Sequence, residues 1–289
     1  MARTTSTSGS TLEESARQAG QAVRGASRPW VEKLARFGYA ARGVVYAVVG
    51  ILAIQTAFSG RGGQTTGAEG AIRTIAEQSR ILLVLMAIGL IGYALWRFVQ
   101  AFLDPEGLGR DAKGMAKRGA MLASGLVYGG LALTAFRLIA GSGDAAGSGQ
   151  GGNQALTASI LDKPFGRWLV ALAGIAVIAS ALHQIWSAYT KRFERKLNTA
   201  EMNEQERRMA LRTGQLGLSA RGIAFLITGW FLVQAALKYD PSQARGLGGA
   251  LETLARQPYG PWLLGLVALG LIAFGAYSFL EARYRRIVF

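Results

Sequence analysis

The polar and aromatic residues that stand inside apolar surroundings in this chain fall at matching places. Arg42 and Arg221 each belong to an Ala-Arg-Gly start, Ala41-Arg42-Gly43 and Ala220-Arg221-Gly222, at the head of an apolar run. Trp96, His183 and Tyr277 align in three later runs, and Gln100, Ser187 and Glu281 follow about one turn further on. Charged groups inside apolar spans are functional candidates by default. Two roles suit these arginines: reaching back to the headgroups along a flexible stem, or binding a lipid phosphate or another anion. Ser124 takes the matching place in the middle copy, which argues against a threefold ring of arginines. Arg42, Arg221, Trp96, His183, Tyr277, Gln100 and Glu281 are therefore the candidate residues for binding a ligand or lipid.

Catalytic chemistry finds less support. His183 is the single histidine, so two-histidine haem ligation is excluded, and a metal site there has no visible second ligand. No Asp or Glu is placed to orient His183 toward a serine, and a histidine satisfied by helix packing is the simpler expectation. With no cysteine, disulfides, thiolate metal sites and thiol nucleophiles are all excluded. No carboxylate falls near the middle of an apolar run, which weakens the case for an ion-coupled pump. Glu281 lies at the rim, within reach of Arg283 or Arg285. Neither cofactor nor metal is expected.

The elements that position these residues are apolar runs at about 43–59, 81–103, 119–141, 168–190, 222–237 and 257–280. A bilayer core of ~30 Å needs ~20 mostly apolar residues, so the chain is expected to be an all-α membrane protein with six transmembrane helices. The runs form three copies of one two-helix unit. Gly43, Gly125 and Gly222 come into register, with Tyr46, Tyr128 and Phe225 three residues on and Gly50, Ala132 and Gly229 one heptad on. Small residues at such spacing let helix backbones approach closely in lipid. Each unit crosses twice, so the copies are parallel repeats about an axis along the membrane normal, and pseudo-threefold symmetry is expected.

The loops inside the copies repeat as well. Gln-Pro-Tyr-Gly260-Pro-Trp262 matches Lys-Pro-Phe-Gly166-Arg-Trp168, whereas the first copy, Gly70 to Arg80, lacks the aromatic-Gly step. Apolar positions such as Ile72, Ile75, Leu251 and Leu254 recur at helical spacing, predicting a short interfacial helix on the outer surface in each loop. Gly141 to Asn153 reads as a flexible linker. Thr11-Leu12-Glu13-Glu14 offers a helix start in the N-terminal segment, and Asn198 with Glu201 offers another.

The formal net charge of +15 is explained by placement rather than by nucleic acid. Lys and Arg crowd the segment before residue 38, residues 104–118, residues 190–214 and the tail from 283. The loops within the copies carry far fewer. This bias puts both termini in the cytoplasm, where basic residues gain ~1 kcal/mol each against anionic headgroups. The expected organisation is a cytoplasmic segment 1–31, disordered or lying on the surface; repeat 1 over 32–106; repeat 2 over 113–193; a charged linker helix over 194–213; and repeat 3 over 214–286.

The tandem units, with their Ala-Arg-Gly starts, Gln-Pro-aromatic-Gly loop and Glu281-Ala-Arg-Tyr-Arg-Arg286 ending, resemble the bacterial family called domain of unknown function 1206. The resemblance runs from about residue 32 to 286 and implies a small six-helix membrane protein of three repeats. It implies no activity, cofactor or site residue. The expectation is a non-enzymatic accessory or interaction module of the bacterial inner membrane, holding lipid, with anionic headgroups and a membrane protein as partners. The alternative is a channel or carrier whose path follows the threefold axis past Tyr46, Tyr128, Phe225, Trp96, His183 and Tyr277. An enzyme acting on lipid is a third reading, resting on Arg97, Gln100 and Glu281.

Overall fold

The computed structural model describes residues 7–58, 67–104, 107–141 and 150–286, with side chains from Glu32 onward and, after residue 149, from residue 152. The chain forms α1 (Thr7–Phe58), α2 (Ala68–Gln78), α3 (Arg80–Leu103), α4 (Ala112–Ile139), α5 (Gln150–Leu161), α6 (Gly166–Tyr189), α7 (Glu204–Lys238), α8 (Leu247–Ala255) and α9 (Gly260–Tyr284). Six of these, α1 from Glu32 and α3, α4, α6, α7 and α9 in full, are long and apolar enough to cross a membrane. Among the described residues there is no sheet, only an isolated antiparallel bridge between Leu197 and Arg285.

Local sequence sets several boundaries. Asn203 starts α7 with a capping box: its side chain accepts from the Glu206 amide at 2.8 Å, and the Glu206 carboxylate accepts from the Asn203 amide at 3.0 Å. The helix expected at Asn198 is instead a 3-10 turn over Thr199–Glu201, and the charged linker joins the fifth span as one continuous helix. Likewise α1 extends backward from its span to Thr7, where a disordered or surface-lying segment is expected from composition. The side chains of Thr11 to Glu14, and most of the Gly141–Asn153 linker, lie outside the described residues. The end of that linker already forms the first turn of α5.

All three repeat loops contain the expected short helix, and each does more than lie on a surface: in α5, Leu161 is buried with Val170 of α6 and Ala236 of α7. Ile72 and Ile75 of α2 are buried where α2 meets α1, α3 and α4. Leu251 of α8 is buried where α8 meets α7 and α9. These helices cap one end of the bundle. The Pro-aromatic-Gly turns into α6 and α9 put Phe165 and Tyr259 in the left-handed region, at φ 63° and 62°. A side chain at the following Gly166 or Gly260 would overlap the carbonyl of Ile160 or Ala255. The first repeat, lacking that step, turns at extended Ser79, whose hydroxyl accepts from the Leu82 amide at 3.3 Å.

The three repeats meet through equivalent seams: α1 against α9, α4 against α3, and α7 against α6. Each seam is built on a small residue of the first helix. A methyl group added at Gly43 would fall 2.9 Å from the Gly275 carbonyl, one at Gly222 would fall 3.1 Å from that of Ala181, and one at Gly125 would fall 2.9 Å from the Phe98 ring. This is the pseudo-threefold arrangement. It departs from symmetry inside the repeats, where α1 packs on α3 and α7 on α9, but no comparable packing joins α4 to α6.

That break has a cause in sequence. In repeat 1 Gly38 receives Tyr93, and in repeat 3 Gly217 receives Phe274 at the equivalent place, with added methyls falling 2.6 and 2.5 Å from the partner helix. One turn away Ala41 fits against Gly89, and Ala220 against Gly270. The same register in repeat 2 puts Ala120 opposite Ser180 and Ala123 opposite Ala176. The glycine, the aromatic knob and the second glycine are all gone. Ala120, Ala123, Ala176 and Ser180 are exposed, whereas Gly38, Ala41, Gly217 and Ala220 are buried. The six spans therefore form a ring with one open sector, between α4 and α6.

Candidate functional site

Arg42, Gln100, Ser278, Glu281 and Arg285 are buried polar groups in the half of the bundle nearer the chain termini, while Thr134 and Thr157 are buried toward the other end. Arg42, only 3% exposed, is drawn in from α1 rather than reaching for headgroups. Its guanidinium donates to the Tyr93 hydroxyl of α3 at 2.6 Å and to the Ser278 hydroxyl of α9 at 3.1 Å. It also pairs with the carboxylate of Glu281, which is 4% exposed. The second oxygen of Glu281 accepts from Arg285, so one carboxylate serves two guanidiniums and the rim pairing with Arg285 is realised. The rings of Tyr39, Tyr93 and Phe274 lie 4.9, 5.1 and 5.0 Å from the Arg42 guanidinium carbon. Such faces attract a cation, more strongly when water is excluded.

Arg221 is the counterpart on α7, yet its surroundings differ. It donates to the Tyr46 hydroxyl at 2.9 Å and to the Gln184 amide oxygen of α6 at 3.1 Å. Tyr46, Phe225 and Phe274 rings surround it. Gln184 stands on α6 where Ser278 stands on α9, and Ser187 stands where Glu281 does. The seam that holds Arg221 thus supplies a neutral residue at the place of the carboxylate. Among the described residues Arg221 has no ion-pair partner.

At the third seam the arginine comes from the other helix. Ser124 on α4 corresponds to Arg42 and Arg221, but Arg97 on α3 occupies the place of Ser278 and Gln184. Arg97 donates to the Tyr93 hydroxyl at 3.1 Å and to Gln100 at 3.0 Å, instead of extending to an interface, and it too has no ion-pair partner among the described residues. A threefold set of arginines exists after all, with one member transferred across its seam. The Tyr93 hydroxyl accepts from both Arg42 and Arg97. Tyr93 also packs edge-on against Tyr128 of α4, with centroids 4.5 Å apart.

The candidate residues are therefore only partly united. Arg42, Glu281 and Arg221 belong to this cluster, and Gln100 borders it through Arg97. Trp96 is buried and donates to the Tyr39 hydroxyl at 3.3 Å. Tyr277 is buried against Phe193 and Phe274. His183 departs from the group: it is exposed on α6. Of the six residues expected along an axial path, Tyr46, Tyr128, Trp96 and Tyr277 are buried and Phe225 half-buried, whereas His183 points away. The residues that sequence reasoning passed over are Tyr93, Ser278 and Gln184. The register of Trp96, His183 and Tyr277 carries all three, one or three positions away.

Chemically the cluster is cationic and suits an anion. It holds Arg42, Arg97, Arg221 and Arg285 against the single carboxylate of Glu281, with tyrosine hydroxyls as the other main acceptors. A cleft of about 310 Å³ at the terminal end, lined in part by Glu32, Arg36, Glu201 and Arg285, lies on the outer side of Arg285. Among the described residues no group of three or more His, Asp or Glu is arranged to hold a metal.

Domain of Unknown Function (DUF1206) matches the chain three times, over residues 37–104, 120–191 and 216–285, which coincide with the three repeats. The chain is similar to the uncharacterized protein YxxB of Bacillus subtilis (strain 168), with 35% identity over 267 residues, covering 92% of this chain and 95% of that protein. No solved structure matches it.

Proposed function

The chain belongs to the family Domain of Unknown Function (DUF1206), and we propose that it is a non-enzymatic module of the bacterial cytoplasmic membrane that holds an anionic lipid. The observation that carries this is the surplus of positive charge in the cluster, where Arg42 and Arg285 are buried and Arg97 and Arg221 half-buried. Desolvated guanidiniums are costly in a bilayer unless paired, and Arg97 and Arg221 are satisfied only by neutral acceptors. An arginine's planar fork suits phosphate in particular. The concentration of Lys and Arg at the end that carries both termini supports a cytoplasmic orientation for that end. Exposed apolar side chains such as Ile81, Leu85, Ile88, Leu95 and Leu172 suit an acyl surround.

A channel or carrier has less support, because Tyr39, Tyr46, Tyr93, Tyr128, Phe274 and Tyr277 are all buried among the spans. The test is native mass spectrometry of the full chain purified in mild detergent. A retained phospholipid with a net negative headgroup is expected. Protein that is free of lipid, or that carries neutral lipid in proportion to its abundance, would remove the basis for this function.

A further inference from the structure

Resting on the lipid-holding reading above, we infer that the open sector between α4 and α6 is the lipid's seat, with its phosphate on Arg221 and its acyl chains in the gap. Two features converge there, an opening in the ring and a cation beside it. The ring of spans is closed everywhere except between these two helices. The residues that would close it by repeat symmetry, Ala120 and Ala123 on α4 with Ala176 and Ser180 on α6, are small and exposed. Arg221, one of the two arginines of the cluster without a carboxylate, stands beside it: it bonds Gln184 of α6, and on the α4 side Tyr128 packs on Tyr93 of the same cluster.

The occupant follows from the chemistry of the walls. A free anion would satisfy the guanidinium but leave an apolar trough in the bilayer with nothing in it. A protein helix would fill the trough but would need a carboxylate at the depth of Arg221. An acyl chain with a phosphate at its end satisfies both. Arg97, on the far side of Tyr93, adds to the field that favours a negative headgroup. Arg42 contributes less, because it has a share of the Glu281 carboxylate. The specificity is thus for negative charge at the head and for a chain beneath it.

The test compares lipid occupancy of the full chain by native mass spectrometry after equilibration with equal amounts of phosphatidylglycerol and phosphatidylcholine. Wild type is expected to retain phosphatidylglycerol preferentially. Arg221→Gln, which removes the anchor, and Ala176→Trp, which fills the trough, are each expected to lower that occupancy at least tenfold. Arg137→Gln removes an exposed arginine outside the cluster and is expected to change it less than twofold. Excess inorganic phosphate is expected to leave the bound lipid in place. If wild type prefers phosphatidylglycerol but both variants keep it, the lipid sits elsewhere and the seat between α4 and α6 is wrong, while lipid holding stands. Displacement by inorganic phosphate, or a dimer mass in place of bound lipid, would also overturn the seat. If wild type shows no preference, both conclusions fall together. Ala176→Trp lies on an exposed helix face, so it remains informative should Arg221→Gln fail to fold.

Discussion

Arg42 and Glu281, 239 residues apart, form a buried ion pair that joins the first span to the last. Each is almost wholly removed from solvent, and the Glu281 carboxylate is divided between Arg42 and Arg285. Replacing Glu281 by Gln keeps the volume but strands two guanidiniums. Loss of one partner from a buried pair typically costs about 3–5 kcal/mol. The expected result is a large fall in the thermal unfolding midpoint in detergent. Arg42→Met with Glu281→Met should fall less than Glu281→Gln alone, since it removes more of the uncompensated charge.

Close approach of the helices gives a graded prediction. Gly217→Ala places a methyl group 2.5 Å from the Phe274 backbone, and Gly38→Ala places one 2.6 Å from Tyr93. Neither backbone can yield locally, so both variants should lose about 1–3 kcal/mol through overpacking. Gly129→Ala and Gly130→Ala meet nothing within 4 Å, and should be neutral or gain up to ~1 kcal/mol from helix propensity. Unfolding midpoints of the four variants, measured side by side, separate the two classes.

The open sector can be closed by rewriting repeat 2 in the image of its neighbours. Ala120→Gly, Ala176→Gly and Ser180→Tyr restore the hole, the close approach and the knob. In this background a Cys introduced at Ala116 is expected to cross-link readily with a Cys at Ala179, the places that Leu34 and Gly92 hold in close contact in repeat 1. The unaltered background should cross-link poorly, because a disulfide requires Cα atoms within ~7 Å. The absence of native cysteine makes the assay clean. Equal cross-linking in both backgrounds would show that α4 and α6 already meet.

The turn after α3 carries a pH prediction. Asp104 accepts the amides of Leu108 at 2.7 Å and Gly109 at 2.9 Å, which hold its carboxyl below the usual range. A depressed folded value means the turn is stabilised above the unfolded value and loses that contribution as pH falls through the folded one. Amide exchange protection at Leu108 and Gly109 should therefore persist at pH 4 and decline only in stronger acid. Asp104→Asn should abolish this pH dependence.

Much of the architecture is legible in residue order, because bilayer spans impose length and small-residue spacing directly on sequence. Gly43, Gly125 and Gly222 mark the three seams, and the Pro-aromatic-Gly steps mark the turns into α6 and α9. The site is less legible, for a physical reason. A lone Arg42 in sequence carries no sign of Glu281, since their meeting depends on which seam the last span closes. The missing arginine at Ser124 looks like lost symmetry until Arg97 is placed across the same seam. The opening between α4 and α6 was readable in principle: Ala120, Ala176 and Ser180 stand where the other repeats have glycine or an aromatic residue. Its meaning appears only once the neighbouring glycines are seen to hold their helices together.

The order of the ring also bears on how the protein is made. Following neighbours from the opening gives α6, α7, α9, α1, α3 and α4, so α1, made before the other five, lies in the middle of the row beside α9, made after them. Arg42 enters the bilayer long before Glu281 exists, and nothing else described on α1, α3 or α4 offers it a carboxylate. During synthesis that charge must be held by Tyr93, by water or by a lipid headgroup. Insertion of α9 then adds Ser278 and Glu281 to the bond with Tyr93. The completed chain is, in this sense, the first state in which its opening helix is electrically at rest.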